Sequence, residues 1–179
     1  MGCTPLLLAT EDENILMIQA LISSKCDVDA PDNTGVSPLM LSSESGSEEI
    51  VALLLKEKDC KVDSLTNDGE SACMMCAEAG FYNILALLIA AKTDVNLAEN
   101  DGCTSLHLAA INGSDGNLRC MELLIEANAE VNQIDNDGWS ALLKSSQEGH
   151  VSIVRLLLKA GAYPDQASDD GQTALMLGK

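Results

Sequence analysis

Short apolar segments alternate with polar, glycine-containing segments along the chain, and the alternation has a period of 33 to 36 residues. Gly35, Gly69, Gly102, Gly138 and Gly171 mark this period, and Gly2 begins the same register. Two apolar segments follow the glycine of each complete repeat, and within them apolar residues recur at steps of three and four, as on one face of a helix. A fixed repeat of this length predicts a stack of similar units.

Helix starts and turns can be placed within each repeat. A Ser or Thr stands two residues after every one of these glycines, and Ser37 precedes Pro38 just as Ser71 precedes Ala72. This is the pattern of a helix N-cap followed by a favourable first helical residue. Asn-Asp-Gly or Asp-Asp-Gly, which favours a turn, precedes most of these starts. Each unit is therefore predicted to be helix, turn, helix and loop, and such units bury their apolar faces only by stacking.

One repeat carries a recognisable motif. Residues 104–110, Thr-Ser-Leu-His-Leu-Ala-Ala, resemble the T-P-L-H-x-A signature of the ankyrin repeat. Residues 4–6 and 37–39 match its beginning, and residues 156–162 match the close of a unit. The resemblance covers the whole chain and implies an all-α ankyrin-repeat solenoid of helix–turn–helix units with β-turn or hairpin loops. The expected units of this single array are 1–31, 32–65, 66–98, 99–134, 135–167 and a truncated sixth, 168–179.

The repeats depart from the family pattern in two places. The fourth unit is longer, and we assign its excess to residues 113–117, in the turn between its two helices. Four units lack the glycine that usually ends the second helix, and Lys25, Asp59, Lys92 and Asn128 stand near that position. Weaker helix ends are expected there, because only Gly adopts a left-handed conformation without cost. The chain starts and stops within a unit, so we expect a fragment of a longer protein.

Composition and charge exclude several classes of function. The 179 residues are 46% apolar but only 2% aromatic, and 10 basic against 28 acidic residues give a net charge of −18. This sign disfavours nucleic acids and anionic membrane surfaces as partners. No stretch is long and apolar enough for a membrane span. Seven cysteines without a pairing pattern favour reduced thiols, hence the cytoplasm, with the nucleus as the alternative.

Candidate chemistry is sparse. Cys73 and Cys76 form a C-x-x-C motif, but both replace core residues of a first helix, so buried thiols are expected. His107 occupies the signature histidine position, where the resemblance implies structural hydrogen bonds. The loop ending at Gly138 is similar to a calcium loop but lacks its downstream glutamate. We therefore predict no enzyme activity, no metal site and no cofactor.

The resemblance implies that loop tips and the exposed side of first helices form a concave recognition surface. Trp139, the only tryptophan, occupies the variable position after a glycine, which faces that surface in ankyrin-like arrays. Exposed tryptophans are enriched in binding hot spots, although packing on the neighbouring loop is the alternative for this one. The candidate partner-binding residues are Asn33, Thr34, Val36, Asn67, Asp68, Glu70, Glu78, Asn100, Asp101, Cys103, Ile111, Asn112, Asn136, Asp137, Trp139, Lys144, Gln147 and Glu148.

These residues are mostly acidic or amide, so the expected partner is another protein with a basic segment, bound by a monomer. The predicted function is a non-catalytic interaction scaffold or adaptor. The alternative is a regulatory or targeting segment of a larger enzyme or channel. Asn96 and Asn132 match positions that are hydroxylated in some ankyrin-like proteins, although a structural loop amide is the simpler role.

Overall fold

The computed structural model describes residues 2–178, and helices within them follow one another in antiparallel pairs. Each pair consists of a first and a second helix joined by a short turn, and a long loop leads to the next pair. The helices are α1 (Pro5–Glu11), α2 (Ile15–Ser23), α3 (Pro38–Glu44), α4 (Glu48–Leu54), α5 (Ala72–Ala79), α6 (Tyr82–Ala90), α7 (Ser105–Asn112), α8 (Asp115–Glu126), α9 (Ala141–Glu148), α10 (Val151–Lys159) and α11 (Ala174–Leu177).

The predicted N-caps start the first helices. The Ser71 hydroxyl accepts a hydrogen bond from the Met74 N–H at 3.3 Å, and Thr4 and Ser140 cap α1 and α9 in the same way. Each cap residue has an extended backbone, which lets its side chain reach back over the first turn. The cap satisfies a helix N–H that has no partner inside the helix.

The pairs stack into two layers of helices. The first helices α1, α3, α5, α7 and α9 lie side by side, and the second helices pack along their outer side. One continuous core runs between the layers, with fully buried residues such as Leu54, Leu85 and Met121. The all-α solenoid expected from the sequence is confirmed. Within residues 2–178, no helix has the length and apolar composition that crossing a bilayer requires.

The long loops fold into tight turns whose tips are joined from one pair to the next. Isolated antiparallel bridges close three of them, at Ala98–Thr104, Ile134–Ser140 and Ala167–Thr173. The backbone N–H of Asn100 donates to the Asp68 carbonyl at 3.0 Å, and the same bond recurs along the array. Each loop therefore positions its neighbour, and the row of tips is a regular surface.

Residues that follow three of the second helices adopt the backbone conformation for which glycine is usually required. Lys25, Lys92 and Asn128 have φ values of 60°, 72° and 68°, so three non-glycine residues adopt the left-handed conformation. Asp59 does not, and its unit has one residue more than the next, since Gly35 and Gly69 are 34 residues apart whereas Gly69 and Gly102 are 33 apart. The left-handed conformation, which is costly for residues other than glycine, is therefore present at three of the four positions.

The extra residues of the fourth unit extend a helix, which corrects the prediction of a longer turn. The α8 helix has 12 residues where α6 and α10 have 9, and its N-cap is Ser114. The buried Asn117 side chain donates to the carbonyls of Ala77 and Glu78, both at 2.8 Å. The insertion became helical because its first turn is capped and bound to the preceding pair.

The C-x-x-C motif is buried, as predicted. Cys73 and Cys76 are both fully inaccessible to solvent in α5. Burial raises the pKa of Cys73 to about 11, so its thiol stays protonated at neutral pH. Because the thiolate is the reactive form, these side chains act as core residues.

Candidate protein-binding groove

A cavity of about 240 Å³ lies beside Trp139 on the side of the array formed by loop tips and first helices. Helices α7 and α9 supply one wall, and the loop between α8 and α9 supplies the other. The cavity brings together six of the predicted binding residues and one that sequence reasoning missed, Asp135. Its lining residues are Ile111, Asp135, Asp137, Trp139, Lys144, Gln147 and Glu148.

The Asp135 carboxylate binds three groups of residues that line this cavity. Its carboxylate forms an ion pair with the Lys144 ammonium at 2.7 Å and accepts hydrogen bonds from the Trp139 and Asp137 N–H groups at 2.8 and 3.1 Å. Burial alone would raise the pKa of Asp135, but the bonds from Lys144 and Trp139 outweigh it and the pKa is lowered. Lys144, predicted as a partner contact, therefore has its ammonium group engaged within the protein, with 17% of its side chain exposed.

Asp135 belongs to a pattern that the sequence does contain. An oxygen-bearing side chain stands three residues before each glycine of the period, and at four of the five positions it accepts a hydrogen bond from the N–H of the residue after that glycine. Asp32 accepts from Val36, and Thr66 accepts from Glu70, at 3.0 and 3.1 Å. The position closes the loop, as short polar side chains do in turns. This regularity is the signal that could have identified Asp135.

Trp139 is fixed at its backbone and partly exposed at its ring. Its carbonyl accepts hydrogen bonds from the Asp135 N–H at 2.9 Å and from the His107 imidazole at 3.1 Å. The indole borders the cavity together with Ile111 and Glu148. The backbone of Trp139 is therefore held by its own loop and by α7, and the residue borders the groove, where its contact with a partner stays a prediction.

His107 has the structural role that the resemblance implied. Its Nδ1 atom accepts from the Thr104 N–H at 3.2 Å, so the proton of the neutral ring is on Nε2, which donates to the Trp139 carbonyl. Burial, helped by the nearby Lys144 ammonium, lowers the pKa of His107. The imidazole is thus neutral at pH 7 with both nitrogens engaged.

Four predicted binding residues form a ladder along the loop tips. The side-chain amides of Asn67, Asn100 and Asn136 donate to the backbone carbonyls of the preceding rung, Asn33, Asn67 and Asn100, at 3.0, 3.1 and 3.0 Å. Their amide donors are thus engaged within the protein. These bonds hold neighbouring loops together, a role that the sequence pattern did not predict.

Cys103 is placed wrongly by the prediction. Its side chain is 4% exposed, lies 3.7 Å from an Asp135 carboxylate oxygen and faces inward. Burial raises the pKa of its thiol to about 12. The Cys103 side chain faces inward because the Asp101 carboxylate accepts a hydrogen bond from the Cys103 N–H at 2.8 Å and the Asp135 carboxylate accepts one from the Cys103 thiol.

The other predicted residues lie at the surface. Asn112 is exposed, but its amide donates to the Glu78 carbonyl at 3.0 Å. Val36, Glu70, Trp139 and Lys144 are partly exposed. The exposed ones are Asn33, Thr34, Asn67, Asp68, Glu78, Asn100, Asp101, Ile111, Asn112, Asn136, Asp137, Gln147 and Glu148.

Glu99 is a second residue that sequence reasoning missed. Burial raises its pKa to about 7, and the charges of Asp101 and Glu70 act in the same direction. Glu99, Asp101 and Cys103 each place one ligand atom within 4.8 Å of the others, the one such group of three or more in residues 2–178.

A family model for ankyrin repeats in three copies matches residues 1–66, 58–135 and 114–178. The chain therefore belongs to the ankyrin-repeat family, as the resemblance implied. Ankyrin repeats are generally protein–protein interaction modules and are typically not enzymes.

Proposed function

We propose that this chain is a non-catalytic scaffold or adaptor whose groove binds a basic segment of another protein. The observation that carries the proposal is the cavity beside Trp139, which joins an indole and an aliphatic side chain to free carboxylates. A central aromatic anchor within a polar rim is the usual arrangement of a binding hot spot. The loops are already held by the asparagine ladder, so binding orders few new groups.

The charge of the groove supports a basic partner. Exposed carboxylates continue from the cavity along the loop tips, at Asp68, Asp101 and Asp137, and along first helices, at Glu78 and Glu148. Such a surface attracts cationic segments and raises their association rate, and salt weakens the attraction. We further propose that the chain acts as a monomer in the cytoplasm, where its free thiols stay reduced. The unit boundaries given above belong to the same proposal, and the pairing of the helices supports them.

The test compares proteins retained from a cell extract by the wild-type chain and by Trp139→Ala. Tyr163→Ala is the matched control, because Tyr163 is an exposed aromatic residue outside the groove. Circular dichroism first establishes that all three chains are folded. The proposal requires a protein that wild type and Tyr163→Ala retain, that Trp139→Ala loses, and that high salt releases. Equal retention by the two variants would place recognition elsewhere.

A further inference from the structure

The size of the cavity beside Trp139 limits what it can hold. Its volume of about 240 Å³ is below the range of about 300–1,000 Å³ that pockets for small-molecule ligands occupy. It opens to the groove, and its lining includes the ends of side chains from two neighbouring units. The cavity therefore suits one long side chain of a partner lying along the groove.

The charges that line the cavity determine the sign of that side chain. Asp135, Asp137 and Glu148 contribute three carboxylates, and Lys144 contributes one ammonium group. The Lys144–Asp135 contact is the one ion pair within residues 2–178, and it neutralises both of its members. Neither the Asp137 nor the Glu148 carboxylate accepts a hydrogen bond from the described part of the chain. Two negative charges thus stay free to pair with a cation.

The apolar lining distinguishes between the two basic side chains. The Trp139 indole and the exposed Ile111 side chain lie beside the free carboxylates. A guanidinium group is planar and weakly hydrated, so it stacks on an aromatic ring while donating two hydrogen bonds to a carboxylate. An ammonium group is more strongly hydrated and makes only point contacts. The combination of indole and carboxylate therefore favours arginine over lysine.

We propose that this cavity is an arginine subsite, in which a partner's arginine side chain lies against Trp139 and pairs with Asp137 or Glu148. The inference rests on the proposed function and adds the chemical identity of the anchoring residue. Lys144 does not block the subsite, because its ammonium group is held on Asp135 at the cavity wall. The anchored side chain brings one positive charge, which neutralises one of the two free carboxylates.

Trp139 makes a direct test feasible, because a chain with one tryptophan gives one indole N–H resonance in NMR spectra. The probe is the capped peptide acetyl-Gly-Arg-Gly-amide, titrated to millimolar concentration. Two matched peptides carry citrulline, the neutral isostere of arginine, or lysine. We expect the arginine peptide to shift the Trp139 indole resonance, the lysine peptide to bind several-fold more weakly, and the citrulline peptide to leave the resonance unchanged.

Variants locate the bound charge. Asp137→Asn combined with Glu148→Gln is expected to weaken binding of the arginine peptide about tenfold, the usual scale for charged hydrogen bonds. Glu122→Gln combined with Glu126→Gln, which removes two exposed carboxylates of the second helix α8 away from the cavity, should change it less than twofold. Equal shifts with arginine and citrulline, no indole shift with arginine, or equal effects of the two sets of substitutions would overturn the arginine subsite.

The two proposals fail separately. A partner that requires Trp139 but binds equally well when its arginines are replaced by citrulline would retain the proposed function and exclude the arginine subsite. An indole shift with the arginine peptide, together with equal retention of proteins by wild type and Trp139→Ala, would support the subsite and remove the evidence for the groove as the main recognition surface.

Discussion

The Nε2 atom of His107 lies 3.1 Å from the carbonyl oxygen of Trp139. A buried side chain at the start of α7 thereby holds the loop of the next unit, and with it the residue at the centre of the candidate groove. The same ring accepts the Thr104 N–H, so one side chain joins a helix cap to an inter-unit contact. The His107 imidazole thus fixes the backbone of the residue that borders the candidate groove.

His107→Ala is predicted to lower the free energy of unfolding by about 2 kcal/mol, because the buried Thr104 N–H loses its acceptor and the Trp139 carbonyl loses one of its two donors. His150→Ala is the control, since its ring makes one exposed bond to the Ile111 carbonyl and should contribute about 1 kcal/mol or less. Urea unfolding followed by circular dichroism measures both. Equal losses of unfolding free energy in the two variants would show that the burial of His107 adds nothing to its contribution to stability.

Acidification gives a second prediction for this residue. Because the pKa of His107 is lowered from its ordinary value of 6.5, the unfolded chain binds the proton more tightly. The stability that depends on the neutral ring is present above pH 6.5 and is lost as pH falls below it. His107→Gln should remove this component, so the difference in stability between wild type and variant should shrink below pH 6.5. A difference that does not change between pH 7.5 and 5.5 would contradict the prediction.

Glu99→Gln is predicted to stabilise the protein at pH 8. The raised pKa of about 7 means that folding favours the protonated carboxyl, whose contribution is complete below 4.5 and lost as pH rises through 7. The gain from glutamine should therefore appear between pH 4.5 and 7 and reach its full size near pH 8. Urea unfolding across this range measures it, and the carboxyl carbon shift of Glu99 gives the titration midpoint directly. A midpoint near 4.5 would refute the prediction.

Lys92→Gly is predicted to raise the free energy of unfolding by about 1 kcal/mol, because lysine pays a steric cost at a φ of 72° that glycine does not. Asp59→Gly is the matched control at the corresponding helix end. Its backbone is outside the left-handed region, so glycine there should lower stability through the entropy of the unfolded chain. Urea midpoints that move in the same direction for both variants would exclude a conformational cause.

Gly116→Ala is predicted to destabilise the protein, although alanine normally favours helices over glycine. A methyl group at Gly116 would overlap the carbonyl oxygen of Gly80, so α8 would have to move away from the preceding pair. The expected loss is about 1–3 kcal/mol. Ser152→Ala, at the same position of α10 and exposed, should be neutral or slightly stabilising. A raised thermal midpoint for Gly116→Ala would show that this contact is not close.

Much of the fold could be predicted because each unit repeats the same local signals. Ser71 caps a helix, apolar residues recur at helical spacing, and a turn precedes each start, so local sequence decides the elements and the period decides the stack. The prediction of a longer turn at residues 113–117 was wrong because a tertiary contact decides the structure there. Residues 115–117 of this stretch are helical because the Asn117 side chain binds acceptors in the preceding pair, and sequence neighbours do not reveal such a partner.

The sequence by itself determined the ankyrin-repeat stack, the helix starts, the buried thiols and the acidic groove, because these depend on local patterns and total charge. Only the tertiary structure decided which surface residues are available. In the folded chain the Cys103 side chain is buried, Lys144 is paired with Asp135, and the side-chain amides of the loop asparagines bind the preceding loop. Each of these outcomes depends on a partner about one repeat or less away along the chain, and only the stacking of the units fixes that distance in space.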